Sequence, residues 1–369
     1  MINKKQLRYI DQLALLKLRG VQGIHLEWSL YNRNLNIRKR ERYYLQRQLS
    51  DLSTLGYYQL KDYLYPYRKG SRFSNISFRQ MRERYYQDKR VRQNTLHAIE
   101  DIEVTLNTKI AHVLGDNCGA YGYLNFSNWC QHNTYNPYFK VRRNNRWRSK
   151  FMSKDVLQDE QVKFIKEVRI KIIKSRTPDV VRLRKESDTS DVPIWLLMNE
   201  LTLGNSIHLY KLMKPKLRKL IADYFNCTTD ELISWLECLR LIRNICCHNG
   251  NLADLQLKTR PRAPREFINQ KILYTIPIKD HDGNLRRWLI TNRIALPLAI
   301  IVHLMRCINQ KYNFHDLNSS IKNLINDSVT VIIMDLEIVN QLIYYFIAIL
   351  SRQMKKKVSS IYIKFLKNK

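Results

Sequence analysis

The 369 residues carry 64 Lys and Arg against 32 Asp and Glu, a formal net charge of +32, and 44% of them are hydrophobic. That apolar content excludes a chain too polar to bury a core, and ten Gly with nine Pro are too few for the tight turns of a β-sandwich or barrel. So basic a chain repels itself when compact, and a polyanion relieves the repulsion by neutralisation and counterion release; solvated Lys faces with no partner are the plainer reading.

Leu7, Ile10, Leu13, Leu16 and Leu18 fall at helical spacing over residues 4–19, and Arg19-Gly20 closes that helix. A second helix is predicted over 37–55, stopped by Gly56. An aromatic run from Gly56 to Tyr67 follows, terminated by Pro66. A long helix over 82–114 then carries Leu96, Ile99, Ile102 and Leu106 as one stripe, with Glu100 and Glu103 beside it. Gly115, Gly119 and Gly122 mark its end and a loop. Residues 134–150 read as a flexible segment in which Lys140, Arg142, Arg143, Arg146, Arg148 and Lys150 surround Trp147. A second polar stretch, 175–191, contains Pro178 and sets the main boundary. The expected organisation is an N-terminal helical region over 1–133, a basic linker over 134–191 and a C-terminal helical region over 192–369. In the last, Trp195, Leu196, Leu201 and residues 207–212 look like core faces, and 271–291 alternate around Asp282-Gly283, a hairpin signal. The expected fold is all-α, mainly helical, with one small β-hairpin inserted.

Arg42-Tyr43-Tyr44, Arg84-Tyr85-Tyr86 and Arg146-Trp147-Arg148 set rings that stack on bases beside cations that hold phosphates, a pattern suited to single-stranded nucleic acid. A membrane surface could also answer the charge; RNA answers charge and rings together. The most apolar stretch, Val329 to Leu350, is broken by Asp335, Glu337 and Asn340, so no membrane span is predicted, and residues 1–8 lead into no signal-peptide core. Seven Cys without paired CxxC spacing read as reduced thiols of a cytoplasmic protein, neither disulfides nor zinc ligands. Phosphate loops, dinucleotide fingerprints and HExxH are absent, so neither cofactor nor metal is expected. Asp179 lacks the Glu-x-Lys partner of a metal nuclease and reads as a loop residue.

One segment carries chemistry. Thr228 with Glu231 forms a capping box, Asn249-Gly250 supplies a stop, and Leu232, Trp235, Leu236, Leu239 and Ile242 make the buried stripe between them. Arg240, Asn244 and His248 follow one another at four-residue steps and so share a face. Arg243 lies five positions before His248, about 140° away on an ideal helix, so convergence needs a loosened helix end or a second copy of the site. Histidine is the residue type that changes charge nearest neutral pH, and a cation at residue 248 suits a helix C-terminus. Arg243 can fork onto phosphate oxygens, and Asn244 can orient the imidazole. Together they suit cleavage of RNA by its own 2′-hydroxyl, which needs a proton acceptor, a proton donor and a cation on the phosphate. Arg92 and His97 repeat the spacing, for which an ordinary surface histidine is the plainer reading.

These residues resemble the HEPN ribonuclease motif, and the rest of the chain resembles Abi-like abortive-infection proteins of the AbiD/AbiF kind. The similarity rests on Asp11-Gln12-Leu13 with Leu18-Arg19-Gly20, on Gly56-Tyr57-Tyr58-Gln59-Leu60 with Tyr63, Tyr65 and Pro66, and on Asp88 to Glu103. It continues through Pro193-Ile194-Trp195 and Glu200 to Gly204. It implies a HEPN-like helical bundle and a metal-independent endoribonuclease toxin of phage defence, with its site at Arg243, Asn244 and His248. It further implies a homodimer, or an internal pairing with Arg92 and His97, because HEPN motifs work facing each other. Cys247, Asn249 and Asn251 depart from the family, which has a small residue before the His and further His and Arg after it. Target RNA and a cognate small inhibitory RNA are the expected partners. The alternative is a non-catalytic regulator that docks a structured small RNA.

Overall fold

The computed structural model describes residues 6–26, 35–186, 191–269, 275–279 and 285–326. The apolar stretch 329–350, the Lys355–Lys357 tail and the turn at 281–284 lie outside them. Among the described residues the chain is mainly helical, with fourteen helices and three two-stranded antiparallel sheets.

Its spine is α4, Phe78–Cys118, whose 41 residues span about 60 Å at 1.5 Å per residue. Ser77 starts it with a capping box: its Oγ accepts from the Gln80 N–H at 3.2 Å, and the Gln80 amide oxygen accepts from the Ser77 N–H at 2.9 Å. The helix runs through Gly115 and ends at Gly119, φ +77°, four residues beyond the first glycine expected to stop it. Two cores flank this spine. The first joins α1 (Tyr9–Leu18), α2 (Leu35–Leu55), α3 (Tyr57–Lys61) and a 3-10 turn over Asp62–Tyr67 to the opening turns of α4. The strand pair β1 (Arg68–Lys69) and β2 (Arg72–Phe73) closes it, and Gly20 is required there, since a Cβ would stand 2.3 Å from the Phe73 carbonyl oxygen. Leu7 and Leu18, expected in the α1 stripe, are exposed; Leu13 and Leu16 carry the burial.

The larger core begins at Val91 and gathers helices from both sides of the expected boundary. They are α5 (Phe126–Trp129), α6 (Lys154–Lys174), α7 (Pro178–Glu186), α8 (Ile194–Glu200), α9 (Leu203–Leu212), α10 (Pro215–Tyr224) and α11 (Thr229–Cys247). After α12 (Arg265–Asn269), α13 (Ala295–Ile308) and α14 (His315–Asn326) complete the packing along α4. Asp179 stands in the first turn of α7, ion-paired to Arg182 at 3.0 Å, and not in a loop.

The segment expected to be flexible forms a hairpin instead, β3 (Tyr135–Arg143) with β4 (Arg146–Phe151). Asn144 and Asn145 both take positive φ, 48° and 57°, which builds the tight turn whose twist matches paired strands. The expected C-terminal hairpin is β5 (Thr275–Lys279) with β6 (Leu285–Ile290). Trp195, expected in the core, is 53% exposed; Ile194, Leu197 and Met198 take the buried side of α8.

Candidate nucleic-acid site

The helix that carries Arg243, Asn244 and His248 is pinned at both ends. At its start the Thr228 Oγ1 accepts from the Glu231 N–H at 3.2 Å, and the Glu231 carboxylate accepts from the Thr228 N–H at 2.8 Å. Leu232, Trp235, Leu236, Leu239 and Ile242 are all buried, as their spacing predicts. At its end His248 is the capping residue, and Asn249, φ +57°, takes the left-handed position. The Gly250 N–H then donates to the Ile245 carbonyl at 2.8 Å. Asn249, not Gly250, therefore makes the turn. Gly250 supplies clearance, because a Cβ there would crowd Ile245 Cγ2 at 3.1 Å.

Arg240, Asn244, Cys247 and His248 form the exposed side of this helix, while Arg243 is half-buried. Among the described residues the side chains of Asn244 and His248 have no hydrogen-bond partner, and Asn244 does not reach the imidazole. Arg243 makes no ion pair among the described residues, but its charge reaches Glu103 of α4: burial raises that carboxyl, while the Arg243 charge and the Leu203 N–H pull it back down. Arg240 is paired with Glu237 at 2.9 Å, and Glu237 also meets Lys211.

A buried polar network locks the turn that follows His248. Asp88 of α4, fully enclosed, accepts the Tyr63 hydroxyl at 2.6 Å and the N–H groups of Leu252 and Ala253 at 3.1 and 2.7 Å. Arg92 lies 3.0 Å from the same carboxylate and donates to the Asn249 side-chain oxygen at 3.2 Å. Arg84, 1% exposed, donates to Asp254 at 2.7 Å, and the Gln59 amide reaches the Asn249 carbonyl. Burial pushes the Asp88 carboxyl up to about 6, against the Tyr63 hydroxyl and the Arg92 guanidinium, which both favour its ionised form. Removing one partner of so enclosed a pair would strand a charge, so the network fixes the turn's geometry.

This clamp escaped the sequence reading. Its members come from residues 59–63, 84–92 and 249–254, and nothing in their spacing joins them. Arg84-Tyr85, expected to greet a base, point inward instead, and only Tyr86 of that triplet is exposed. Arg92 is spent on the clamp, whereas His97 is exposed with its ring 6.3 Å from that of Tyr312.

The cationic hairpin stands elsewhere. Arg142 pairs across the ribbon with Trp147, Val141 with Arg148 and Arg143 with Arg146. Trp147 is 70% exposed, and Lys140, Arg142, Arg146 and Arg148 are also exposed. Lys150 is half-buried and held by Glu160 at 3.3 Å. The ribbon's base is fastened to the start of α11 by the Tyr138 hydroxyl on Asp230 at 2.6 Å. That anchor lies about 27 Å along the helix from His248. Arg240, Arg243, Asn244 and His248 thus gather at one end of α11, and the hairpin springs from the other.

All seven cysteines are unpaired. Among the described residues no cluster of His, Cys, Asp or Glu could hold a metal ion, and no helix is long and apolar enough to cross a membrane. The class so defined is a mainly helical protein with an open Arg–Asn–His face on a rigidly held helix end and a separate cationic ribbon. A family model described as Abi-like protein matches residues 50–254, more than half of the chain, and the chain belongs to that family. The match runs from the close of α2 to Asp254, the last residue of the clamp. No curated protein and no solved structure matches.

Proposed function

We propose that this chain is an abortive-infection RNase of the AbiD/AbiF kind, with a HEPN-type site at Arg243, Asn244 and His248, that cuts RNA without a metal. The observation that carries the reading is the contrast at the end of α11. A turn held by buried charges presents an imidazole and an amide that have no structural partner among the described residues. Rigid support of an open polar group is what preorganised chemistry requires and what packing alone does not.

In the proposed reaction the ribose 2′-oxygen attacks the adjacent phosphorus, and the bond to the 5′-oxygen breaks. A 2′,3′-cyclic phosphate and a 5′-hydroxyl result. Charged His248 gives its proton to the departing 5′-oxygen, and Arg243 holds the phosphate oxygens as charge gathers on them. Removal of the 2′ proton falls to the imidazole of a facing copy, because each chain offers a single His at this helix end. The homodimer is thus part of the proposal. Arg240 and the exposed hairpin cations, with Trp147, hold the strand on either side.

The test is incubation of purified protein with RNA in the presence of a chelator, followed by mapping of the ends. Cyclic phosphate ends in the wild type that vanish in Arg243→Ala support the reading; uncut RNA with the wild type overturns it. One observation favours a second reading, a non-catalytic regulator that docks structured small RNA. The Glu103 carboxyl lies within electrostatic reach of Arg243 and would compete with phosphate for it. Tight, salt-sensitive RNA binding with no cleavage under any condition would establish that alternative.

A further inference from the structure

A cavity of about 540 Å³ lies between the C-terminal half of α4 and α8, and the proposed chemistry makes no use of it. Asn107 lies in its floor, fixed by donating to the Met198 carbonyl at 3.1 Å and accepting the Ser206 hydroxyl at 2.6 Å. Trp195 forms one wall, and its 53% exposure leaves a wide aromatic face that the core does not need. His112 and Asp116, paired at 3.3 Å, stand on the rim with Asn199, all exposed. Gly115 completes the lining. A Cβ there would meet Ile194 at an ordinary 3.7 Å, so packing does not demand glycine, and its effect is to keep the cavity open.

An aromatic face beside a carboxylate, an amide and an imidazole has the make-up that recognises a flat heterocycle with a polar edge. Neither Lys nor Arg lines the cavity. A phosphate would find no counter-charge in it, so the heterocycle must be tethered to phosphates held elsewhere. A candidate grip is the end of α11, which packs against α4. Asn107 follows Glu103, which feels the Arg243 charge, by one helical turn, about 6 Å along the axis, and the Arg240 side chain packs beside Gly204, two residues before the Ser206 that bonds Asn107.

We infer that this cavity receives an unpaired base of the RNA strand whose phosphate is held at Arg243, stacked on Trp195 with its polar edge toward Asp116 and Asn199. The inference rests on the RNA reading of the α11 face and adds to it a subsite that selects the base near the bound linkage.

The experiment uses the full-length His248→Ala protein, so binding is read without cleavage, with short single-stranded RNAs of each base as probes. In that background Trp195→Ala should weaken the preferred RNA about tenfold, the effect of losing one stacked base, and Trp195→Phe should restore most of it. Asp116→Asn should change the ranking among the four bases. Unchanged affinity in Trp195→Ala, with unchanged ranking in Asp116→Asn, overturns the subsite. Should Trp195→Ala fail to fold, Trp195→Leu, which keeps bulk without a stacking face, takes its place, and parental affinity in it with unchanged ranking in Asp116→Asn overturns the subsite. Free nucleoside monophosphates should compete poorly; competition as strong as the oligonucleotide's would overturn the tethered-base assignment. A loss in Trp195→Ala when the wild type never cuts RNA would leave the subsite standing and remove only the nuclease reading.

Discussion

Two Arg–His pairs with the same five-residue separation meet opposite fates in this molecule. Arg92 is buried against a buried carboxylate, and its companion His97 faces solvent beside Tyr312. Arg243 is half-buried near the surface, and its companion His248 caps a helix with its ring free among the described residues. Spacing is identical, so spacing does not make the site. What separates the pairs is the environment: a desolvated guanidinium needs its carboxylate for stability, while one at the surface keeps its donors for a ligand.

The contrast breaks if the two arginines answer alike. Arg92→Ala should cost about 3–5 kcal/mol in denaturant unfolding, because it leaves Asp88 buried without its cation. Arg243→Ala should change stability by less than about 1 kcal/mol and lower RNA cleavage about 10²–10³-fold, the range for losing a charge-stabilising donor. Tyr63→Phe sharpens the comparison by removing one hydroxyl from Asp88, for a loss of about 1.5–3 kcal/mol seen in the same unfolding curves. Replacing Arg142, Arg146 and Arg148 together with Gln should leave stability within about 0.5 kcal/mol and flatten the salt dependence of RNA affinity by about 0.7 per lost phosphate contact.

A smaller effect concerns pH. The hydrogen bond from His208, helped by Lys150, holds the Glu160 carboxyl down to about 2, against the burial that opposes it. A depressed carboxyl contributes stability that is full above its ordinary value near 4.5 and is lost as pH falls through about 2. Amide exchange over 135–151 should therefore accelerate in that acid window and not between pH 5 and 8. Exchange that stays slow to pH 2 would detach the ribbon's anchoring from this carboxylate.

The helices were legible where one face is apolar. α11 could be read almost to the residue, since Thr228, Glu231 and the Leu/Trp stripe all point to one element. The hairpin at 135–151 was not, because its strands alternate cations where a half-buried strand would alternate apolar residues; the Asn144-Asn145 turn was the available signal. Arg243, Asn244 and His248 were legible as a shared helix end. The clamp beneath them was not, since Asp88 meets Leu252 and Ala253 across more than 160 positions and tertiary packing alone joins them. Trp195 misled for a related reason: at a helix start its neighbours Ile194, Leu197 and Met198 suffice for the core, which frees the indole.

The most direct measurement compares His248→Gln with His97→Gln in a cleavage assay on the same RNA, chelator present. The account predicts a fall of about 10²–10⁴-fold for the first, the range for losing a general acid or base, and wild-type rates for the second. Equal rates in both variants, or a loss confined to His97→Gln, would contradict it.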